Sequence, residues 1–138
     1  MAQEKMIFFF FLQSCLVIDY LHKKGTLNLN FKPSNVLIGN KGNTRISDMG
    51  YGVHTWETLN KYPNTDADYL APEIFEGAAV SEKTDIWSLG MYLYFLAHKK
   101  TPFDQTQMIN KLDKMIPLTD LTFDPLLSNE YVDLVRKI

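Results

Sequence analysis

Two polar segments of the chain carry side chains that could bind an ion. One runs from Asn28 to Asn35 and includes Asn30 and Lys32, and the other begins at Asp48. Amide and carboxylate oxygens are hard donors of the kind that magnesium prefers, whereas a lysine supplies a positive charge. A polar turn followed by an aspartate at a strand end would look the same, so neither segment identifies a site alone.

A helix is predicted before the first polar segment, from about residue 4 to residue 24. Apolar residues recur there at the spacing of one helix face, and Gly25 is a good terminator because it adopts the left-handed conformation without strain. The apolar run from Met6 to Leu12 imitates the core of a signal peptide, but Gln13 and Asp19 interrupt it well short of a membrane span. The pattern therefore favours a buried helix over a signal sequence or a membrane anchor.

Beyond this helix the sequence predicts a small β-hairpin and two loops. Residues 36–38 and 44–46 are short strand candidates around a strong turn signal at residues 39–43. Residues 26–35 are predicted as loop. Residues 48–71 are polar without lasting periodicity, which indicates a long loop of the kind that is rare unless it is functional.

A second long helix is predicted from the cap residue Ser81 to about residue 97. Because apolar side chains occur almost all round this helix, it should be buried on every side, with Trp87 and Leu93 inaccessible. Weaker helices are predicted at about residues 104–115 and 128–138.

Composition narrows the classes of partner and location. A formal net charge of −2 and two arginines give no electrostatic case for binding nucleic acid or an anionic membrane. Cys15 is the single cysteine, so no disulfide can form within the chain, and a reducing, cytoplasmic location is expected. His22, His54 and His98 lack metal-ligand spacing and are interpreted as ordinary surface or helix-end residues.

Four short motifs follow one another along nearly the whole chain. They are Asn28-Leu29-Asn30-Phe31-Lys32-Pro33-Ser34-Asn35, Asp48-Met49-Gly50, Ala71-Pro72-Glu73 and Asp85-Ile86-Trp87-Ser88-Leu89-Gly90. In this order the chain resembles the C-terminal lobe of a eukaryotic-type protein kinase, whose motifs are H-R-D-L-K-x-x-N, D-F-G, A-P-E and the start of the central helix. Each motif is weak alone, but four in the family's order and spacing are a strong signal.

The resemblance implies a mainly α fold of the α+β class, a kinase-like C-lobe with a small β-hairpin. Residues 1–138 would form a partial kinase domain, from the helix before the catalytic loop to a shortened late helix, with the N-lobe absent. In this respect the chain resembles Ser/Thr kinases more than tyrosine kinases, because it has a lysine at position 32 of the loop motif.

The resemblance also assigns a site. Asn30 stands where the family's catalytic aspartate accepts the proton of the substrate hydroxyl, and Lys32 stands where a lysine contacts the transferring phosphate. Asn35 and Asp48 occupy the positions that hold magnesium, and together with Lys32 they would bind the family's cofactors, ATP and Mg²⁺. Asp85 is expected to bond back to the backbone of the catalytic loop.

Several positions depart from the family pattern. The amide of Asn30 cannot take up a proton near neutral pH. Leu29 replaces the arginine that pairs with a phosphorylated activation loop, and Asn28 replaces the histidine that braces the site. Glu73 is expected to lack its arginine partner, and a buried unpaired carboxylate is costly. Because the sequence also contains no Gly-rich phosphate loop, neither ATP nor Mg²⁺ is expected to bind tightly.

These departures favour a pseudokinase-like fragment that would act, if at all, by binding another protein through its exposed lobe face. The enzyme assignment leans against catalysis, and neither nucleic acid nor a membrane is expected as a partner. Two alternatives stay open. One is a Ser/Thr protein kinase that uses ATP and magnesium, and the other is a degenerate gene product without a separate role.

Overall fold

The computed structural model describes residues 2–48, 53–54, 67–102 and 121–138. In chain order the elements are α1 (Ala2–Lys23), β1 (Thr26–Leu27), a 3₁₀ turn (Pro33–Asn35), β2 (Val36–Ile38), β3 (Thr44–Ile46), β4 (Val53–His54), a second 3₁₀ turn (Ala67–Tyr69), α2 (Pro72–Glu76), α3 (Glu82–His98) and α4 (Asn129–Lys137). This mainly α architecture with a small antiparallel hairpin confirms the predicted fold class. The helix predicted at residues 104–115 lies outside the described residues.

Helix α1 buries one face and ends at a glycine, as its pattern predicts. Ile7, Phe11 and Ile18 are buried along this face. Gly25 has a φ of 70°, and its backbone N–H donates to the His22 carbonyl at 2.8 Å. Because a residue with a Cβ is strained at this φ, glycine lets the chain leave the helix and turn directly into β1.

Helix α1 is apolar beyond its buried face. By length and composition alone, the segment Gln3–Lys23 could cross a membrane. Of its apolar 18-residue stretch, 22% is buried inside the protein. One such helix is weak evidence, because core helices of globular proteins and signal sequences have the same properties. Its apolarity therefore does not decide its environment, whereas the burial of Ile7, Phe11 and Ile18 ties one face to the core.

Helix α3 is the central helix of the lobe, and Ser81 caps it. The Ser81 hydroxyl accepts the N–H of Lys83, and the Thr84 hydroxyl accepts the N–H of Ser81 at 3.0 Å, forming a capping box. The prediction of complete burial is wrong near this end, where Ile86 is 37% exposed and Trp87 is half-buried. Successive residues are rotated by about 100° around the helix axis, so Ile86 projects on the side opposite to the buried Thr84. The elements that cover Thr84 therefore do not cover Ile86.

The predicted β-hairpin is confirmed. β2 and β3 pair in antiparallel register, with Val36 opposite Ile46, Leu37 opposite Arg45 and Ile38 opposite Thr44. A second pairing joins β1 to β4, with Thr26 opposite His54. Residues 26–27 are therefore strand and not loop as predicted, because a two-residue strand is too short to show a period of two.

The core lies between α1, α3 and α4. Tyr131 of α4 is completely buried, and its hydroxyl donates to the Leu93 carbonyl of α3 at 2.9 Å. Burial raises the pKa of this hydroxyl well above its usual value, so it remains a neutral donor. Ser128 caps α4 by accepting the N–H of Tyr131 at 3.2 Å, which confirms the predicted helix start.

We expect Leu93→Ala to lower the free energy of unfolding by about 2–5 kcal/mol, because Leu93 is completely buried and its truncation leaves a cavity. Denaturant unfolding followed by circular dichroism measures the change. Leu126→Ala is the matched control, since Leu126 is 88% exposed and its truncation should cost less than about 0.5 kcal/mol. Equal losses in the two variants would contradict the position of α3 in the core.

Candidate functional site

The loop from Asn28 to Asn35 buries its three asparagines, Asn28, Asn30 and Asn35, so their polar groups and the backbone around them need internal partners. Asp85 of α3 supplies two of them. Its Oδ2 accepts the backbone N–H of Asn28 at 2.9 Å, and its Oδ1 accepts that of Leu29 at 2.8 Å. Leu29 adopts a left-handed φ of 57°. The predicted bond from Asp85 to the loop backbone is confirmed.

His22 belongs to the same network, and its interpretation as an ordinary helix-end residue is wrong. Its Nε2 lies 2.8 Å from Asp85 Oδ2, and the two side chains are 10% and 0% exposed. The hydrogen bond to Asp85, aided by the carboxylate charges of Asp85, Glu82 and Asp19, raises the pKa of His22 above its usual 6.5, while burial opposes the rise. The sequence did contain a signal for this buried position, because His22 follows Ile18 by four residues and so lies on the buried face of α1.

Asn30 links the loop to the second polar segment. Its side-chain Nδ2 donates to Asp48 Oδ2 at 3.2 Å, and its backbone N–H donates to Asn28 Oδ1 at 3.1 Å. Asn28 thus braces the position of Asn30 through an amide oxygen. Because a carboxylate only accepts hydrogen bonds here, the contact fixes which end of the Asn30 amide faces Asp48.

Asn35 holds the two polar segments together. Its Nδ2 donates to the Asn30 carbonyl at 2.9 Å, and its own carbonyl accepts the N–H of Ser47 at 2.8 Å. Ser47 directly follows β3, so this bond sets Asp48 beside the loop. Asp48 is exposed and has a left-handed φ of 56°.

Lys32 lies in the same loop, between Asn30 and Asn35. It is half-buried, its backbone is extended, and its carbonyl accepts the N–H of Asn35 at 3.0 Å. The structure therefore joins Asn30, Asn35 and Asp48 by hydrogen bonds and places Lys32 within the same loop.

The donor set fits magnesium in kind. The Asn35 amide nitrogen is engaged with the Asn30 carbonyl, so the oxygen is the atom of that side chain able to bind a cation. Asp48 adds a carboxylate. Mg²⁺ takes few protein ligands and completes its shell with water and phosphate oxygens, so one amide and one carboxylate suffice. Among the described residues no group of three His, Cys, Asp or Glu side chains could hold a metal.

That Glu73 lacks an arginine partner stays a prediction, but its carboxylate is not left unpaired. It is half-buried at the start of α2, and the Thr84 hydroxyl donates to its Oε1 at 2.6 Å. The same hydroxyl accepts the N–H of Ser81, so one side chain both caps α3 and satisfies the carboxylate. Within the long loop predicted at residues 48–71, residues 49–52, which include Met49-Gly50, and residues 55–66 lie outside the described residues.

Comparison with known proteins decides the family. All of residues 1–138 match the family model described as the protein kinase domain. The chain belongs to the protein kinase family. Aurora kinase A-B of Xenopus laevis is 34% identical over 119 residues, which are 86% of this chain and 29% of that protein. Aurora kinase B of Danio rerio is 34% identical over 121 residues, 88% of this chain and 38% of that protein.

The kinase-family match extends to a protein of Trypanosoma brucei brucei whose name includes the words serine/threonine-protein kinase. It is 30% identical over 140 aligned residues, covering 99% of this chain and 32% of that protein. This kinase-family chain thus spans about a third of the length of these curated relatives. The family prediction is confirmed, while the individual roles of Asn30, Lys32, Asn35 and Asp48 stay predictions.

Replacing Asp85 by alanine should destabilise the chain by about 3–5 kcal/mol, because two buried N–H groups and His22 would lose their acceptor. Denaturant unfolding measures the loss. Asp133→Ala is the matched control, since Asp133 is 61% exposed and bonds Lys137 on the surface, where a pair contributes little. Similar unfolding midpoints for the two variants would contradict the role given to Asp85.

Stability should also depend on pH through His22. Because its pKa in the folded chain lies above 6.5, the folded state binds the proton more tightly than the unfolded state. The resulting stabilisation is complete below about pH 6.5 and is lost as the pH rises through the folded pKa. Unfolding free energies of the wild type and of His22→Gln, compared from about pH 5.5 to 8.5, measure this. A constant difference between them over that range would refute the linkage.

Proposed function

We propose that this chain is a protein kinase C-lobe that no longer transfers phosphate and acts by binding another protein. The observation that carries the proposal is the contact between Asn30 and Asp48. Where the family has a proton-accepting carboxylate, this chain has an amide whose nitrogen donates to Asp48 at 3.2 Å. The loop that would perform the reaction is built, but its reactive group is changed.

The change at Asn30 removes one catalytic step. Neither end of an amide takes up a proton near neutral pH, so the hydroxyl of a protein substrate would have no base to receive its proton. Loss of a general base typically lowers a rate by about 10²- to 10⁴-fold. The Asn30 amide also contributes no negative charge beside Asp48, which weakens the attraction of the site for a cation.

The other residues of the candidate site would still serve the family's cofactors, ATP and magnesium. Asn35 and Asp48 would hold the metal, and Lys32 would attract a phosphate. When bound, Mg²⁺ neutralises charge on the phosphates. Asp48, however, is exposed to water and shares one oxygen with the Asn30 amide. Water screens the charge of Asp48 and the Asn30 amide competes for its oxygen, so both effects favour weak binding of Mg²⁺.

Binding to a protein is supported by apolar side chains that the lobe exposes. Leu37 and Ile38 on β2 are 52% and 60% exposed, and Leu12 and Leu16 on one face of α1 are each 60% exposed. Contiguous exposed apolar side chains, such as those on α1, are typical of an interaction surface. The free, half-buried Cys15 supports the further proposal that the chain works in the reducing cytoplasm.

A Ser/Thr protein kinase that uses ATP and magnesium is the second candidate. It is favoured by the presence of Lys32, Asn35 and Asp48 in one loop site and by relatives that are themselves kinases. The two candidates differ in one measurable property, phosphate transfer.

We expect the purified chain to transfer no radiolabelled phosphate from ATP and Mg²⁺ to a generic protein substrate. Asn30→Asp should not restore transfer, because the 138 residues contain no Gly-rich loop to cover the phosphates. Asp48→Ala serves as the background, since it removes the carboxylate of the metal position. If the wild type transfers phosphate and Asp48→Ala abolishes the transfer, the chain is an active kinase instead. Turnover by Asn30→Asp alone would show that the base is the sole deficit.

A further inference from the structure

The ring of His22 is connected to the candidate loop, residues 28–35, through one oxygen atom of Asp85. Oδ2 of Asp85 lies 2.8 Å from Nε2 of His22 and also accepts the N–H of Asn28 at 2.9 Å. The other oxygen, Oδ1, accepts the N–H of Leu29 at 2.8 Å. Because Asp85 is completely buried, its negative charge has to be compensated by the groups that are bonded to it.

The candidate loop is strained where Asp85 holds it. Leu29 has a φ of 57°, a left-handed conformation that is costly for a residue with a Cβ. Such a conformation persists only where surrounding contacts impose it. The bond from the Leu29 N–H to Asp85 is one of these contacts, so a weaker hold by Asp85 would favour opening of the loop.

Among these bonded groups, His22 is the one that titrates near neutral pH. The protonated ring donates a charge-assisted hydrogen bond and places a positive charge beside the buried carboxylate, whereas a neutral ring donates an ordinary bond that is about half as strong. The His22 side chain is 10% exposed, so it can exchange its proton with water while the chain stays folded. The bond to Asp85 raises the pKa of His22 above 6.5, which brings its titration towards neutral pH.

The carboxylates around His22 favour the protonated ring. Asp85 and Glu82 act on it from α3, and Asp19 acts on it from one turn earlier on α1. Residues 26–31, which form β1 and the start of the candidate loop, carry no charged side chain.

The two lysines that follow His22 are engaged elsewhere. The Lys23 ammonium lies 2.6 Å from the Asp19 carboxylate, and the Lys24 ammonium lies 5.8 Å from the centre of the Tyr20 ring. Within the described part of the chain, the charge that responds to pH beside Asp85 is therefore that of His22.

We propose that protonation of His22 holds the candidate loop closed, so that residues 28–30 open more often once the ring is neutral. Because Asn28 accepts the N–H of Asn30, and Asn30 in turn bonds Asp48, opening at Asn28 releases the contacts that position Asn30. The candidate site is thus held more tightly at slightly acid than at slightly alkaline pH. This control acts on the loop backbone and does not depend on whether the chain transfers phosphate.

Amide hydrogen exchange of the purified chain, followed by NMR from about pH 6 to pH 8.5, tests the proposal. After correction for the intrinsic exchange rate, the protection of the Asn28 and Leu29 amides should fall at least about threefold as His22 loses its proton, because a charge-assisted bond becomes a neutral one. The midpoint of this fall should coincide with the titration of the His22 ring resonances.

Thr44 provides the matched reference amide. Its N–H is also held by a side-chain oxygen, that of Gln13 at 2.8 Å, and this partner does not titrate. The protection of Asn28 and Leu29 relative to Thr44 should therefore fall as the pH rises. An equal change at all three amides would mean that the proton acts only on the stability of the whole chain, and it would overturn the proposal.

Two variants assign the effect to one histidine. His22→Gln keeps a neutral donor, so the relative protection should stay at its alkaline value throughout the pH range. His54→Gln is the control, since His54 of β4 stands opposite Thr26 of β1, and it should retain the wild-type fall. A fall that persists in His22→Gln, or its absence in the wild type, would refute the control of the loop by His22. The wild-type comparison with the ring resonances decides the question even if His22→Gln does not fold, which circular dichroism checks.

Discussion

The buried carboxylate of Asp85 is the interaction on which the rest of the lobe depends. It is completely inaccessible, and a buried charge is tolerated only when it is well paired. Its partners are the N–H groups of Asn28 and Leu29 and the ring of His22. Because these lie on the loop and at the end of α1, satisfying one carboxylate on α3 brings three parts of the chain together. The raised pKa of His22 has the same origin, since the ring gains its partner only in the folded state.

The backbone of the loop is held in place without help from the Asn30 side chain. Asn28 accepts the backbone N–H of Asn30 and Asn35 donates to its backbone carbonyl, and neither bond depends on what the Asn30 side chain carries. Asparagine has nearly the shape of aspartate, so it fits the same space and turns a donor towards Asp48. The hydrogen bonds that hold the loop therefore do not require a carboxylate at position 30.

Helix α1 shows how one apolar segment serves two surfaces. Ile7 and Ile18 face the core, whereas Leu12 and Leu16 lie on the exposed face. Both sets have the three-to-four spacing of a helix face, so the pattern describes each equally well. Which set is covered depends on α3 and the hairpin, and the other set stays exposed.

The sequence by itself determined the family, the two long helices, α4 and the hairpin, because local signals encode them. Gly25 ends α1, Ser81 and Ser128 cap their helices, and residues 39–43 turn the hairpin. The motif order likewise identified the loop that carries the candidate site. The motif resemblance also predicted the bond from Asp85 to the loop backbone, but other contacts between distant residues were decided only by the tertiary structure. His22 meets Asp85 across 63 positions, Thr84 of α3 satisfies Glu73 of α2, and neither pairing has a local signature. The exposure of Trp87 and of the apolar residues Leu12 and Leu16 on α1 was decided in the same way, because burial depends on which elements pack against a residue and not on the residue's own polarity.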